Sequence, residues 1–270
     1  MSTSPTYFAN DNVEALEQER LACLGELLNR TTEHRLAQLP IAAGWKCLEI
    51  GAGEGYVARV LAARVGAAGR VVATDINPRF LSGNELANVE VRRHDILHDE
   101  LETGHYDLVH CRMLLMHLPD PASAVRRMTE ALRPGGWLMI EEGDMISLGP
   151  ADASHRRSAN FARVTRAISD AVTATKLIDS YFGRRVRSLV EQFGFADVEH
   201  EGRVPVSRGG ERGARFFQLS SELVGPKLIA AGVLDRDQFA DHHAAYDDPT
   251  FTFVGMTNFA AWGRKAPHAR

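Results

Sequence analysis

The sequence has few cysteines, and their positions exclude two kinds of cysteine-stabilised domain. Only three occur in 270 residues, at Cys23, Cys47 and Cys111, and no two have the Cys-x-x-Cys spacing of a zinc or redox motif. Three separated thiols build neither a disulfide framework nor a zinc site. The cysteine content fits a reducing compartment, and we expect a cytoplasmic protein.

The chain also lacks a long apolar segment and a strong excess of charge. No run approaches the roughly 20 apolar residues that span a bilayer, and the polar residues 1–12 contain no signal-peptide core. The formal net charge is −4, so no general attraction to nucleic acid is indicated. We therefore expect neither a membrane nor a nucleic acid as a partner.

Short apolar segments alternate with amphipathic ones between residues 45 and 144, after a helical pattern over residues 13–39. The predicted strands are residues 45–50, 70–74, 89–93, 106–111 and 137–140. Residues 133–136, Arg-Pro-Gly-Gly, predict a turn before the fifth strand. The alternation predicts an α/β fold with a mainly parallel sheet. Ligands of such sheets bind beyond the carboxyl ends of the strands, so the polar residues at those ends are the candidate site residues.

The first of these ends is a glycine-rich turn. Residues 48–56 read Leu-Glu-Ile-Gly-Ala-Gly-Glu-Gly-Tyr. A dinucleotide-binding turn has the pattern Gly-x-Gly-x-x-Gly, but here Tyr56 stands where the third glycine belongs. The carboxylate of Glu49 would repel a pyrophosphate and suit an ammonium group. The turn therefore favours S-adenosylmethionine (SAM), which carries an amino group and a sulfonium, over a dinucleotide.

With this turn, four further segments resemble the class I SAM-dependent methyltransferase superfamily, in particular its actinobacterial small-molecule members. They are residues 72–76, 93–96, 106–121 and 132–142, in the family's order and at its usual spacing. The resemblance covers residues 43–143 well and residues 182–265 loosely. It implies a Rossmann-like fold with a mainly parallel seven-stranded sheet and helices on both faces.

The resemblance also implies how the chain is divided. Residues 1–270 would form a single domain that begins with an N-terminal helical arm, residues 1–42. A SAM-binding half would follow at residues 43–144. Helical lid insertions would occupy residues 145–182 and 205–249. The C-terminal part of the sheet would occupy residues 183–204 and 250–265.

The residues that the resemblance assigns to the cofactor lie at or just after strand ends. They are Glu49, Gly51, Ala52, Gly53, Asp75, Ile76, His94, Asp95, Ile96, Cys111 and Arg112. In the family pattern Glu49 and the glycines line the methionine end, Asp75 accepts from the ribose hydroxyls, and Asp95 accepts from the adenine amino group. Main-chain atoms of Cys111 and Arg112 would face the methionine moiety, and we expect the Cys111 thiol to be inert.

The acceptor side is predicted less sharply. His117 is either a general base or a pocket-lining residue, and Asp144 and Glu142, at the end of the fifth strand, either face the acceptor or are solvated. Tyr7, Met116 and Tyr181 are candidate substrate contacts, although Met116 also suits packing. His242-His243 and Asp247-Asp248 suggest metal ligands. Small-molecule members of the family usually need no metal, however, so none is expected.

Taken together, these features predict an enzyme that transfers a methyl group from SAM. The expected acceptor is an oxygen, nitrogen or carbon atom of a small aromatic or heteroaromatic specialised metabolite. Two alternatives stay open: a methyltransferase that acts on a protein or RNA, and a non-catalytic SAM-binding domain. The protein would be a monomer or a homodimer.

Overall fold

The computed structural model describes residues 14–81 and 86–267, which form two compact units. We call them the sheet unit, with residues 29–147, 175–204 and 256–267, and the helical unit, with residues 14–28, 148–174 and 205–255. No helix in these described ranges is both long and apolar enough to cross a membrane.

The helices, in chain order, are α1 (Glu14–Leu36), α2 (Tyr56–Val65), α3 (Pro121–Ala131), α4 (Ser158–Ala174), α5 (Val186–Gln192), α6 (Arg212–Ala230) and α7 (Arg236–Ala245). The strands are β1 (Lys46–Ile50), β2 (Arg70–Asp75), β3 (Val89–Arg93), β4 (Tyr106–Arg112), β5 (Leu132–Asp144), β6 (Gly149–Pro150), β7 (Phe195–Arg203), β8 (Val206–Arg208), β9 (Thr252–Val254) and β10 (Thr257–Lys265).

The sheet unit contains a seven-stranded sheet with the order β3-β2-β1-β4-β5-β10-β7. Strands β1 to β5 run parallel, whereas β10 runs antiparallel to both β5 and β7. The order reverses at β1, which lies between β2 and β4, and a ligand crevice is expected outside the carboxyl ends of strands at such a point. The predicted mainly parallel seven-stranded sheet is confirmed.

Both faces of this sheet are buried, which explains why its central strands read as nearly continuous apolar runs. Leu48, Val109 and Ile140 lie on one face, in the same apolar cluster as residues of α3 and α5. Cys47 and Leu108 lie on the other face, in the cluster that contains α2. Side chains alternate between faces along a strand, so Glu49 and His110 share the α2 face with Cys47 and Leu108.

The helical unit is built on a small antiparallel sheet with the order β6-β9-β8. Helices α4, α6 and α7 belong to the same unit, and its core is aromatic. The ring of Phe161 lies 4.8 Å from that of Phe251 and 5.4 Å from that of Tyr246, centroid to centroid. Residues 205–249 thus hold strand β8 as well as two helices, and no pattern in the sequence indicated that strand.

The predicted turn at residues 133–136 is instead part of β5. Helix α3 ends at Ala131, and the chain continues directly into the strand. The pairing with β4 then slips, because Tyr106 faces Leu132 while Leu108 faces Trp137. The extra residues form a bulge that needs the positive φ of Gly135, 76°. The Pro-Gly-Gly sequence therefore encodes a strand irregularity rather than a separate turn.

Candidate active site

The glycine turn after β1 has the backbone that its sequence predicts. Gly51, Gly53 and Gly55 have φ values of 70°, 56° and 79°, which side-chain-bearing residues rarely adopt. A Cβ on Gly51 would lie 3.2 Å from Cδ1 of Leu114, whereas nothing lies within 4 Å of the corresponding position on Gly53. The main chain at Gly53 is therefore open to close approach by a ligand.

Asp75, at the end of β2, is fixed by that same turn. Its Oδ2 accepts from the amide of Gly53 at 3.0 Å, and its Oδ1 accepts from the amide of Asn77 at 2.9 Å. Burial raises the pKa of Asp75, and the backbone hydrogen bonds oppose that shift. Each oxygen keeps a second lone-pair direction, so the carboxylate can accept from two neighbouring hydroxyls, as a ribose requires.

The turn after β3 lies beside Asp75, because the amide of His94 donates to the Asp75 carbonyl at 2.9 Å. Asp95 shapes this turn by accepting from the amide of Leu97 at 2.9 Å. His94 is buried, with Nε2 3.3 Å from the carbonyl of Glu100. The side chain of Ile96 lies in the apolar core. A contact between Ile96 and a cofactor would therefore use its main chain.

Glu49, at the end of β1, is only 2% exposed and faces a histidine directly across the β1–β4 pairing. Its Oε2 lies 2.6 Å from Nδ1 of His110. The other ring nitrogen of His110, Nε2, lies 3.1 Å from Oε1 of Glu141 on β5. Burial opposes a charge on His110, but the two carboxylates outweigh it and raise its pKa to about 9.

The network continues into helix α1, through a residue that the sequence analysis missed. The guanidinium of Arg35 is fully buried and contacts the carboxylate of Glu141 and the side chain of Asn258. It also donates from Nε to Glu201 at 2.8 Å. No strand pattern could reveal Arg35, because sequence periodicity does not show which side of α1 meets the sheet.

The exit of β4 has a non-glycine residue in the left-handed region. Met113 has a φ of 54°, and its amide donates to the carbonyl of Glu141 at 2.8 Å. The Cys111 thiol is buried in the core, and burial raises its pKa well above the ordinary value, which supports the expectation of an inert thiol. Arg112 donates to Thr32 of α1 at 3.0 Å.

Glu142 holds the 3₁₀ turn that carries His117. Its Oε1 accepts from the amides of Leu114 at 3.0 Å and Leu115 at 2.6 Å. Its Oε2 is buried and has no hydrogen-bond partner within the described residues. Burial raises the pKa of Glu142 to about 8. In the same turn Met116 packs into the core, whereas His117 is half-buried.

Asp144, at the end of β5, forms a bidentate ion pair. Its oxygens lie 2.6 Å and 2.7 Å from Nε and Nη2 of Arg184, and it also accepts from the amide of Ile146 at 2.9 Å. Burial by itself would raise the pKa of Asp144, but the ion pair and these hydrogen bonds outweigh it and lower that pKa. Tyr181 lies under the Arg184 guanidinium at 5.4 Å. An engaged carboxylate of lowered pKa is a weak base, so this geometry favours an anchoring role.

Tyr7 lies outside the described residues. Within the described ranges no three His, Cys, Asp or Glu side chains are grouped so that they could hold a metal ion. The two neighbouring histidines of α7 have different partners, since His242 lies 3.1 Å from the Thr165 hydroxyl and His243 lies 2.7 Å from the Glu222 carboxylate.

The ends of β1, β2 and β3 thus carry an open glycine turn and the carboxylates of Glu49, Asp75 and Asp95. A sequence profile of the family described as "Methyltransferase domain" matches residues 17–200. The chain belongs to this family. Its fold and family place it in the class I SAM-dependent methyltransferase superfamily, as the sequence predicted.

Curated relatives agree with this assignment. The methyltransferase pytC of Aspergillus terreus is 33% identical over 251 residues, 92% of this chain and 71% of the relative. A ubiquinone biosynthesis O-methyltransferase of Albidiferax ferrireducens is 33% identical over 106 residues, 36% of this chain and 41% of the relative. An uncharacterized protein of Streptomyces fradiae, 30% identical over 231 residues, covering 82% of this chain and 63% of the relative, gives the narrower actinobacterial likeness weak support. The chain spans only 61% and 47% of the length of two other curated methyltransferases that it matches.

Solved structures share the fold. Phosphoethanolamine N-methyltransferase 2 of Haemonchus contortus, in complex with phosphomonomethylethanolamine and S-adenosylhomocysteine (SAH), superposes with a TM-score of 0.52 at 17% identity. The match covers 93% of this chain and 53% of that protein. At this identity the likeness establishes the fold, and the acceptor has to be argued from other observations.

Proposed function

We propose that this protein transfers the methyl group of SAM to an oxygen, nitrogen or carbon atom of a small molecule. The observation that carries the proposal is the joining of the glycine turn to Asp75 by the 3.0 Å hydrogen bond from Gly53. This contact holds the Asp75 carboxylate, the proposed ribose-binding group, beside the main chain that a cofactor would approach. A carboxylate at Glu49 suits the amino group of SAM, and it would repel the pyrophosphate of a dinucleotide.

Different residues would contact different parts of the cofactor. Glu49 binds the ammonium, Asp75 accepts from the two ribose hydroxyls, and Asp95 accepts from the adenine amino group. Main-chain atoms at Gly51 and Cys111 line the methionine moiety. The sulfonium is already an activated donor, so the protein contributes chiefly by holding donor and acceptor in line and by excluding water.

On the acceptor side, the proposal assigns recognition to residues 145–182 and 205–249. A hydroxyl or amine acceptor has a proton to lose, and His117 is the proposed base or pocket residue for that step. The relatives support a small acceptor, since one is a ubiquinone biosynthesis O-methyltransferase. An aromatic or heteroaromatic acceptor remains the proposed class.

The alternatives are a methyltransferase for protein or RNA and a SAM-binding domain without activity. A net charge of −4 offers no general attraction to RNA. A SAM-binding domain without activity would also keep Glu49, Asp75 and Asp95, so it differs from an enzyme in transfer and not in binding. Only a transfer assay separates the three possibilities.

The test uses SAM with an isotopically labelled methyl group. The purified protein is incubated with phenols, catechols, heteroaromatic amines and electron-rich aromatic rings, and in parallel with bulk RNA and bulk protein. We expect labelled methyl in at least one small-molecule class, and no transfer by the Asp75→Ala variant. Label in RNA or protein alone would support the macromolecular alternative, whereas cofactor binding without any transfer would support the non-catalytic one.

A further inference from the structure

The buried histidine of β4 has a geometry that fixes its charge. His110 is 0% exposed, and each of its two ring nitrogens faces a carboxylate oxygen, at 2.6 Å in Glu49 and 3.1 Å in Glu141. A neutral imidazole has a single N–H, so its other nitrogen would direct a lone pair at a carboxylate. Only the imidazolium donates to both neighbours, and the geometry therefore calls for a protonated ring.

The charges around the ring balance in the same state. Glu49 of β1 and Glu141 of β5 supply two negative charges, and Arg35 of α1 supplies one positive charge beside Glu141. His110 supplies the second positive charge only when it is protonated. Burial opposes ionisation of Glu141, but His110 and Arg35 outweigh it and lower its pKa to about 2.

Other polar and charged groups continue this hydrogen-bond network away from His110. Thr32 donates to Glu141 at 3.1 Å, and Arg112 donates to Thr32 at 3.0 Å. On the far side of Arg35, Asn258 accepts from the guanidinium and Glu201 of β7 accepts from its Nε at 2.8 Å. The groups that face His110 itself are thus the two carboxylates of Glu49 and Glu141.

We propose that His110 is a positioning residue for the cofactor, an imidazolium that fixes the Glu49 carboxylate and connects it through Glu141 to Arg35 of helix α1. His110 bonds Oε2 of Glu49, which leaves Oε1 for the ammonium of the cofactor. A carboxylate held in one rotamer loses no side-chain freedom when that ammonium arrives, so affinity rises. This inference rests on the proposed role of Glu49.

The inference predicts a selective effect on ligands that carry the amino group. SAH has the ammonium, whereas 5′-methylthioadenosine has the same adenosine and thioether without it. In the His110→Gln variant, we expect SAH to bind about tenfold more weakly, because the freed Glu49 side chain must then be ordered when the ammonium binds. 5′-Methylthioadenosine should bind within about twofold of wild type, because its contacts to Asp75 and Asp95 are unchanged.

Isothermal titration calorimetry measures both ligands on both proteins, with His105→Gln as the matched control, since His105 is exposed and lies directly before β4. Equal losses for the two ligands would show a merely structural role, and unchanged SAH affinity would show no role; either result overturns the inference. If wild type binds SAH while the inference fails, the proposed function still stands. Failure of wild type to bind SAH would refute both.

A spectroscopic measurement makes the test independent of variant folding. In ¹⁵N-edited NMR spectra of the wild-type protein near neutral pH, the His110 ring should show two protonated nitrogens, assigned by their absence in His110→Gln. A single protonated nitrogen would overturn the inference. If His110→Gln does not fold, Glu141→Gln replaces it, because it keeps a neutral acceptor for Nε2 and removes one of the two charges that hold the proton. The His110 ring signals are then identified as those that shift most in this variant. Glu141→Gln should show the same selective loss of SAH affinity; equal losses for both ligands, or none, would overturn the inference.

Discussion

The carboxyl group of Glu142 makes the stability of this protein depend on pH in an unusual direction. Burial raises its pKa from the ordinary 4.5 to about 8. Between these two values the native state holds a proton that the unfolded chain has released. Unfolding then releases protons, so a rise in pH favours the unfolded state. The contribution of Glu142 is therefore largest below about pH 4.5 and is lost as the pH rises to 8.

The substitution Glu142→Gln isolates this effect. The amide oxygen can still accept from the amides of Leu114 and Leu115, while the NH₂ group replaces the unpartnered Oε2. Integration of the linkage relation from about pH 6 to about pH 8.5 gives a loss of about 2–3 kcal/mol in wild type that the variant does not share. His110 also titrates over part of this range, but it is present in both proteins and cancels in the difference.

Urea unfolding, followed by circular dichroism at several pH values, measures the two free energies of unfolding. Glu199→Gln serves as the matched control, because Glu199 is exposed on β7, and it should follow the wild-type pH dependence. The reasoning is refuted if Glu142→Gln and wild type lose the same stability between about pH 6 and about pH 8.5. It is also refuted if the wild type gains stability relative to the variant over that range.

Arg35→Met should lower the free energy of unfolding by about 3–5 kcal/mol in urea titrations, because it leaves the buried carboxylate of Glu141 beside an apolar side chain. The control is Arg163→Met, at an exposed position of α4, which should change the free energy of unfolding by less than about 0.5 kcal/mol. Asp75→Ala should weaken SAH binding about tenfold or more in calorimetry, since two hydroxyl contacts are lost, and unchanged affinity would remove Asp75 from the site. His117→Ala should lower kcat more than it raises KM for SAM if His117 is the base, and near-normal turnover would exclude that role.

The parallel half of the fold could be predicted because its signals are local. Strands β1, β2 and β4 contain short apolar runs, and β1 and β2 end in residues with distinctive chemistry, Glu49 and Asp75. The glycines at 51, 53 and 55 specify backbone that few other residues adopt. These features depend on neighbours in sequence, so periodicity and turn chemistry suffice to locate them.

The rest depends on contacts that are distant in sequence. The ion pair of Arg35 with Glu141 joins residues 106 positions apart, and neither residue is distinctive by itself. By itself, His110 is an ordinary polar residue near a strand end. Its contacts could have been inferred from the alternation of side chains along a strand, because Glu49, His110 and Glu141 lie on the same face of three adjacent strands. The Asp144–Arg184 pair likewise depends on a contact that is distant in sequence, because Arg184 lies in a later segment of the chain, residues 175–204.

The central claim, that the glycine turn holds SAM rather than a dinucleotide, is tested most directly by calorimetric titration of the wild-type protein with SAH and with NAD. We predict that SAH binds with one site per chain and that NAD produces no saturable heat. Saturable binding of NAD together with no binding of SAH would contradict the claim, because it would show that Glu49 does not set the charge preference of the turn.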